Sequence, residues 1–184
     1  MTKATPLPRG ERVHLRRPTA RDRERFIELV KASRTLHASW VHAPRDAQSY
    51  AAFLRRAHTP TDERVLVCRN EDGDLVGTYH LSQIVRGPFR NAYVGYYGFE
   101  PHANQGYMGE GLSLLLKHAF GPLGLHRVEA NIQPGNVASI ALVKSAGFRL
   151  EGFSPRYLKV AGRWRDHERW AITVEDLRGE RRTA

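Results

Sequence analysis

The chain has 184 residues, 41% hydrophobic and 26% charged, with 29 Lys and Arg against 19 Asp and Glu for a net charge of +10. That length holds one domain with a real core, and that balance excludes a disordered chain. No apolar run reaches the eighteen or so residues of a membrane span, and the first dozen residues lack the apolar centre of a signal peptide, so no membrane association and a cytoplasmic location are expected.

The first ten residues and the basic tail 178–184 read as loose ends around one domain spanning 11–177. Val13 and Leu15 alternate with polar residues as a short strand requires. Pro18 and Thr19 then start a helix that carries Phe26, Leu29 and Val30 on one face, and a second helix follows Asp46 with Tyr50, Phe53 and Leu54. Val65 to Arg69 and Leu75 to Ile84 are strands joined by a turn at Asn70-Glu71-Asp72-Gly73. A third strand runs from Asn91 to Phe99.

Beyond a glycine-rich loop, Leu112, Leu115, Leu116, Ala119 and Phe120 repeat at helical spacing. His126 to Ile132 is a strand, and Asn136 to Ala146 a helix ended by Gly147 in the left-handed conformation. Strands over Leu150–Val160 and Arg165–Thr173 close the chain around Ala161-Gly162. The order β-α-α-β-β-β-α-β-α-β-β predicts a mixed α/β sheet.

The single cysteine, Cys68, lies in the apolar run Val65-Leu66-Val67-Cys68, which excludes an internal disulfide and predicts a buried structural thiol. The arginines are spread along the chain. Their charge attracts nucleotide phosphates, RNA and acidic proteins alike, and a merely solvated basic surface accounts for it equally well.

The chemistry concentrates after Gly95-Tyr96-Tyr97-Gly98-Phe99, where Glu100 to Asn104 lead into Gln105-Gly106-Tyr107-Met108-Gly109-Glu110-Gly111 and a helix. A glycine-rich turn at a helix start presents unpaired N–H groups and the positive end of the helix dipole, an arrangement suited to a pyrophosphate; a purely structural turn is the alternative. No Gly-Lys-Ser/Thr follows, the Gly-x-Gly-x-x-Gly order is missing, and Gly111-Leu112-Ser113-Leu114-Leu115 lacks the closing glycine of a hydrolase elbow. No two histidines stand four apart on a helix and no cysteine pair exists, so no metal is expected.

This loop resembles that of the GNAT superfamily. The pattern Gln/Arg-x-x-Gly-x-Gly/Ala, which cradles the coenzyme A pyrophosphate there, maps onto Ala103-Asn104-Gln105-Gly106-Tyr107-Met108. Ala103 and Met108 depart from it in a way that resembles RimJ-like members, the ribosomal-protein N-terminal alanine acetyltransferases. Pro134-Gly135-Asn136-Val137-Ala138-Ser139 resembles the Asn-x-x-Ser element of the RimJ and RimL group, followed by its Gly-Phe-x-x-Glu-Gly run at 147–152. Ile84 to Phe89, Tyr157-Leu158-Lys159 and Gly162 to His167 are similar to the same group.

The resemblance implies one GNAT domain, its mostly antiparallel mixed sheet splayed at the cofactor site with helices on both faces. It implies acetyl-CoA as cosubstrate, held by Phe99, Asn104 to Gly111, Asn136 and Ser139. The reaction is amine attack on the thioester, with a backbone oxyanion donor around Tyr97 and Gly98 and the Ser139 hydroxyl, or a water, assisting the sulfur. From the residues alone, Asn136 is equally a helix N-cap and Ser139 a first-turn polar residue. Glu100, His80, Glu129 and Asp166 are base candidates; neutral Asn131 stands where some N-terminal acetyltransferases carry a glutamate. The competing reading makes Glu100 and Asp166 turn acids, pairs Glu129 with Arg127, leaves His80 a strand residue and uses Trp164 and Trp170 to cover the core. The implied acceptor is a protein N-terminal alanine or serine. A small amine and a ribosome- or RNA-associated binding module are the alternatives, and no oligomeric state is written in the sequence.

Overall fold

The computed structural model describes residues 6–37 and 40–179. The first half comprises β1 (Val13–Arg16), α1 (Arg23–Ala32), α2 (Arg34–His37), α3 (Ala47–Arg55), β2 (His58–Thr59), β3 (Asp62–Arg69), β4 (Leu75–Val85) and β5 (Asn91–Gly98). The second comprises α4 (Tyr107–Phe120), β6 (Arg127–Ile132), α5 (Val137–Ser145), β7 (Arg149–Val160), β8 (Arg163–Thr173) and α6 (Val174–Arg178). Helices α2 and α6 and strand β2 go beyond the sequence reading, being too short to show a period.

The strands line up as β1-β3-β4-β5-β6-β8-β7, with β2 beside β3, and every pairing is antiparallel except β5 with β6. Each face carries its own core. On one, Val65, Val67, Tyr79 and Leu81 pack under Leu112, Leu115, Leu116 and Ala119 of α4. On the other, Leu66, Cys68 and Phe99 pack under Phe26, Leu29 and Val30 of α1 and Tyr50 and Phe53 of α3. Because side chains alternate between faces, the unbroken run Val65 to Cys68 feeds both cores. Burial pushes the Cys68 thiol up to about 11, as suits a structural residue.

The feature that creates a site is the short seam between β5 and β6. They pair only through Asn91↔Arg127, Ala92↔Val128 and Tyr93↔Glu129. Past Tyr93, β5 stays with β4 as far as Gly98↔Gly77, whereas β6 stays with β8 as far as Ile132↔Glu168. The sheet therefore opens into a wedge beyond Tyr93.

Two expectations are corrected. The stretch before β1 is held, since Leu15 N–H donates to Pro8 O and Leu7 packs on the core; residues 1–5 and 180–184 lie outside the described residues. Trp170 is buried as expected, but Trp164 is 61% exposed, because it sits near the tip of the β7–β8 hairpin where no helix covers the sheet.

Asp74, at the foot of β4, ties three elements together. Its carboxylate accepts from Arg25 Nε and Nη2 at 2.9 and 2.8 Å and meets His102 Nε2 at 2.9 Å. Arg25 chiefly, with His102, holds this carboxyl well below the usual range. A depressed carboxylate contributes stability that is present above its unfolded pKa of roughly 4 and is lost as pH falls toward the folded value. Asp74→Ala is therefore expected to cost about 2 kcal/mol at pH 7, with the gap to the parent narrowing progressively as pH falls below about 4 in urea unfolding. A gap independent of pH would show that the charge is not its source.

Candidate active site

The site begins at the start of α4. Gly106 adopts φ +79°, a left-handed conformation, and a Cβ there would have only the Arg12 guanidinium near it, at 4.0 Å. Glycine is required by the backbone rather than by space. The first helical bond runs from Glu110 N–H to Gly106 O, so the N–H groups of Tyr107, Met108 and Gly109 precede the helical ladder and face outward at the positive end of the dipole. Arg12 adds charge beside them: it donates to Gln105 O and lies 4.2 Å over the Tyr107 ring. No motif marks Arg12; the fold brings it from β1's approach to a loop more than ninety residues away.

Met108 is explained by its neighbours. Gly77 and Gly98 are register partners, and a Cβ on Gly77 would fall 2.6 Å from Met108 Sδ. The two glycines leave a bare strip on which the methionine lies, which accommodates the larger residue where the GNAT pattern has a small one.

From this turn a cavity of about 290 Å³ extends along the open end of β5 to α5, at the mouth of the wedge. Tyr107, Met108, Gly109, Asn136, Ala138, Ser139 and Leu142 line it on the α4–α5 side; Leu36, His37, Trp40 and Val41 line it on the other. Trp40 closes the wall by lying against Gly135, where a Cβ would be 3.4 Å from its ring. Tyr96, Tyr97, Gly98, Phe99 and Asn104 also line it, with Val76, His102, Ala103 and Gly106. Sequence-derived candidates from three segments, 97–99, 104–109 and 136–139, thus converge.

Four others stand outside the lining. Gln105 turns its side chain to Pro101 O at 3.1 Å. Glu110 Oε1 instead accepts from the N–H groups of Arg12 and Val13 at 2.9 and 3.2 Å, clamping β1 to α4. Gly111 is buried because a Cβ would meet Val67 at 3.0 Å and Tyr79 at 3.3 Å, so it serves the packing of α4 on the sheet. Glu100 is exposed on the turn after β5, its N–H donating to Ser33 Oγ at 2.9 Å.

The other base candidates have structural occupations. Glu129 pairs with Arg127 at 2.9 Å, and Asp166 accepts from the Arg156 N–H at 2.7 Å within the β7–β8 hairpin. His80 lies over Gly95, and burial pushes it down to about 4, so it is neutral at pH 7. Asn131 Oδ1 is buried with no hydrogen-bond partner among the described residues.

Two polar side chains of the cavity wall were not singled out in the sequence reading. Tyr96 lines the cavity and donates to the Ser139 carbonyl at 3.2 Å; burial pushes its phenol up to about 12, so it remains a donor at neutral pH. His37, buried, places Nε2 at 2.8 Å from Gly98 O. Neither follows a motif, and α2 holds only four residues. Asn136 caps α5, its Oδ1 accepting from Ser139 N–H at 3.2 Å, and both residues line the cavity.

The backbone at Gly98 has a direction. Phe99 N–H donates to Val76 O at 2.8 Å, toward β4. Successive residues of a strand send their polar groups to opposite sides, so Gly98 presents its own N–H and C=O to the wedge.

A family model described as an acetyltransferase (GNAT) domain matches residues 12–149. The chain belongs to the GNAT acetyltransferase family. Within it, the chain is 39% identical over 105 residues to a probable N-acetyltransferase, YjcK, of Bacillus subtilis, a match covering 57% of this chain and 58% of that protein. It is 33% identical over 106 residues to the ribosomal protein uS5-alanine N-acetyltransferase of Escherichia coli, over 58% of this chain and 55% of that one. The matched stretches thus span little more than half the length of these relatives. Among solved structures, the fold is similar to Mycobacterium smegmatis RimJ in complex with CoA-disulfide, with a TM-score of 0.83 and 29% identity over 90% of this chain and 83% of that one.

Proposed function

We propose that the chain transfers the acetyl group of acetyl-CoA to the α-amine of a protein N-terminus whose first residue is small, such as alanine or serine. The observation that carries the acceptor assignment is the cavity wall: among the described residues that line it there is no Asp, Glu, Lys or Arg. A protonated lysine or polyamine entering such a wall loses water without gaining a counter-charge, a cost of several kcal/mol. An α-amine, with a pKa near 8, is already partly neutral at pH 7.5. The similarity to the uS5-alanine enzyme supports the same choice.

The residues fit acetyl-CoA. The three outward N–H groups after Gly106 and the Arg12 guanidinium suit its pyrophosphate, and the cavity at the mouth of the wedge suits its pantetheine arm. Acetyl-CoA supplies an acetyl group on a thioester. The amine nitrogen bonds to the carbonyl carbon, the carbon–sulfur bond breaks, the amine loses a proton to water, and the sulfur gains one. Gly98 N–H receives the carbonyl oxygen as it gains charge. The Ser139 hydroxyl, or a water, would assist the departing sulfur, while the Tyr96 hydroxyl, donated to the Ser139 carbonyl, holds the start of α5 against β5.

Peptides starting with alanine or serine are expected to be acetylated at least roughly tenfold faster than the same peptides with a blocked terminus and a free lysine. Their rate rises through about pH 8 and then flattens. Mass spectrometry of the products with acetyl-CoA checks this. Preference for lysine or for a small amine overturns the acceptor; failure to bind acetyl-CoA overturns the whole reading.

A further inference from the structure

One peptide unit at the wedge is held from both sides. Its N–H, on Phe99, donates to Val76 O of β4 at 2.8 Å, and its C=O, on Gly98, meets His37 Nε2 at 2.8 Å from the opposite direction. The following peptide is tied as well, through Glu100 N–H to Ser33 Oγ at 2.9 Å. Gly98 lacks a side chain of its own to fix it, and β6 has already left, so nothing else in the sheet holds this strand end on its open side.

We propose that His37 is a positioning residue for acetyl transfer: its Nε2–H, donated to Gly98 O, fixes the end of β5 so that the adjacent Gly98 N–H stays aimed at the thioester carbonyl. The inference rests on the acetyl-CoA reading above. His37 is well placed for this task. Its own N–H donates to Ser33 O, it stands edge-on to Tyr97 with ring centroids 5.2 Å apart, and its carbonyl accepts from Trp40 and Val41 N–H groups. The ring is therefore locked by helix, aromatic neighbour and strand together. A carbonyl partner requires a protonated Nε2, so the neutral ring carries its lone pair on Nδ1. The charged groups nearest in influence are Arg45 and Glu100, and burial, the largest influence, keeps the ring neutral.

An unanchored Gly98 samples orientations in which its N–H misses the carbonyl oxygen, and a hydrogen bond that must strengthen as charge develops tolerates little misdirection. The segment from the end of α1 through α2 is docked on the strand end by two polar side chains one turn apart, Ser33 just before α2 and His37 at its end.

The test uses acetyl-CoA labelled with ¹³C at the acetyl carbonyl, bound to the full chain and observed by NMR, because hydrogen bonding to that oxygen moves the carbonyl resonance independently of turnover or acceptor. His37→Leu removes the bond, and His37→Gln restores a donor at the same number of bonds from the backbone. The parent and the Gln variant are expected to shift the resonance alike from its free position. The Leu variant, folded by circular dichroism, is expected to lose most of that shift while its dissociation constant for acetyl-CoA changes less than about threefold. A Leu variant that keeps the parent's shift overturns the inference, as does a folded Gln variant that fails to restore it. A parent that does not bind acetyl-CoA sinks the proposed function and this inference together; a parent that binds but whose shift is insensitive to His37 sinks this inference alone.

Discussion

Replacing Gly106 with valine is expected to raise the dissociation constant for acetyl-CoA about tenfold or more, because φ +79° costs an ordinary L-residue roughly 1–2 kcal/mol and a β-branched one more. The space around the Cβ is open, so no clash forces the outcome. The strain is relieved by turning the peptide, and the N–H groups of Tyr107, Met108 and Gly109 then no longer converge on one anion. Gly106→Asn is the control, since asparagine visits the left-handed region at smaller cost, and it should lose much less affinity. Calorimetric titration with acetyl-CoA, beside thermal unfolding, separates binding from stability. A folded valine variant that binds like the parent means that the phosphates lie elsewhere.

The second large effect is on turnover. Ser139 and Tyr96 come from α5 and β5 and meet through the bond from the Tyr96 hydroxyl to the Ser139 carbonyl, which makes them one unit on the cavity wall. The serine hydroxyl is a feeble acid, so its proposed part is a hydrogen bond to sulfur as negative charge grows there, while the Tyr96 phenol, raised to about 12 and donated to the Ser139 carbonyl, keeps that serine in place. The double variant Ser139→Ala/Tyr96→Phe should lower turnover roughly a hundredfold and change acetyl-CoA affinity by less than about threefold. Each single variant should lose less, because Tyr96→Phe keeps the serine hydroxyl and Ser139→Ala leaves room for a water in its place. Thiol release measured at saturating peptide decides it. Unchanged turnover in the double variant would return Ser139 to its helix-start role and Tyr96 to packing.

Much of the site was readable where chemistry is local. A glycine that must be left-handed, a helix start with free N–H groups and an Asn cap three residues before Ser139 are written within a few positions of one another, and the cavity gathers them. Reading failed where one residue type serves two purposes. Glu110 and Gly111 lie inside the loop motif, yet one clamps β1 and the other lets α4 approach Val67 and Tyr79, roles that depend on what packs opposite. Trp164 was placed in the core on the strength of its apolar ring, but its register on β8 carries it past the end of the helical cover.

The sequence by itself determined the elements with a sustained period, the two-faced burial of Val65 to Cys68, the turns and the glycine-bearing start of α4, because each depends on backbone preferences and spacing within one segment. Only the tertiary structure decided where β5 and β6 part, that β8 enters between β6 and β7, and that Arg12, His37 and Tyr96 stand at the reaction wedge. Those facts rest on pairings between residues far apart in the chain, such as His37 with Gly98 and Arg12 with Gln105. Such pairs are selected by the packing of whole elements, and no local preference in either segment encodes the other.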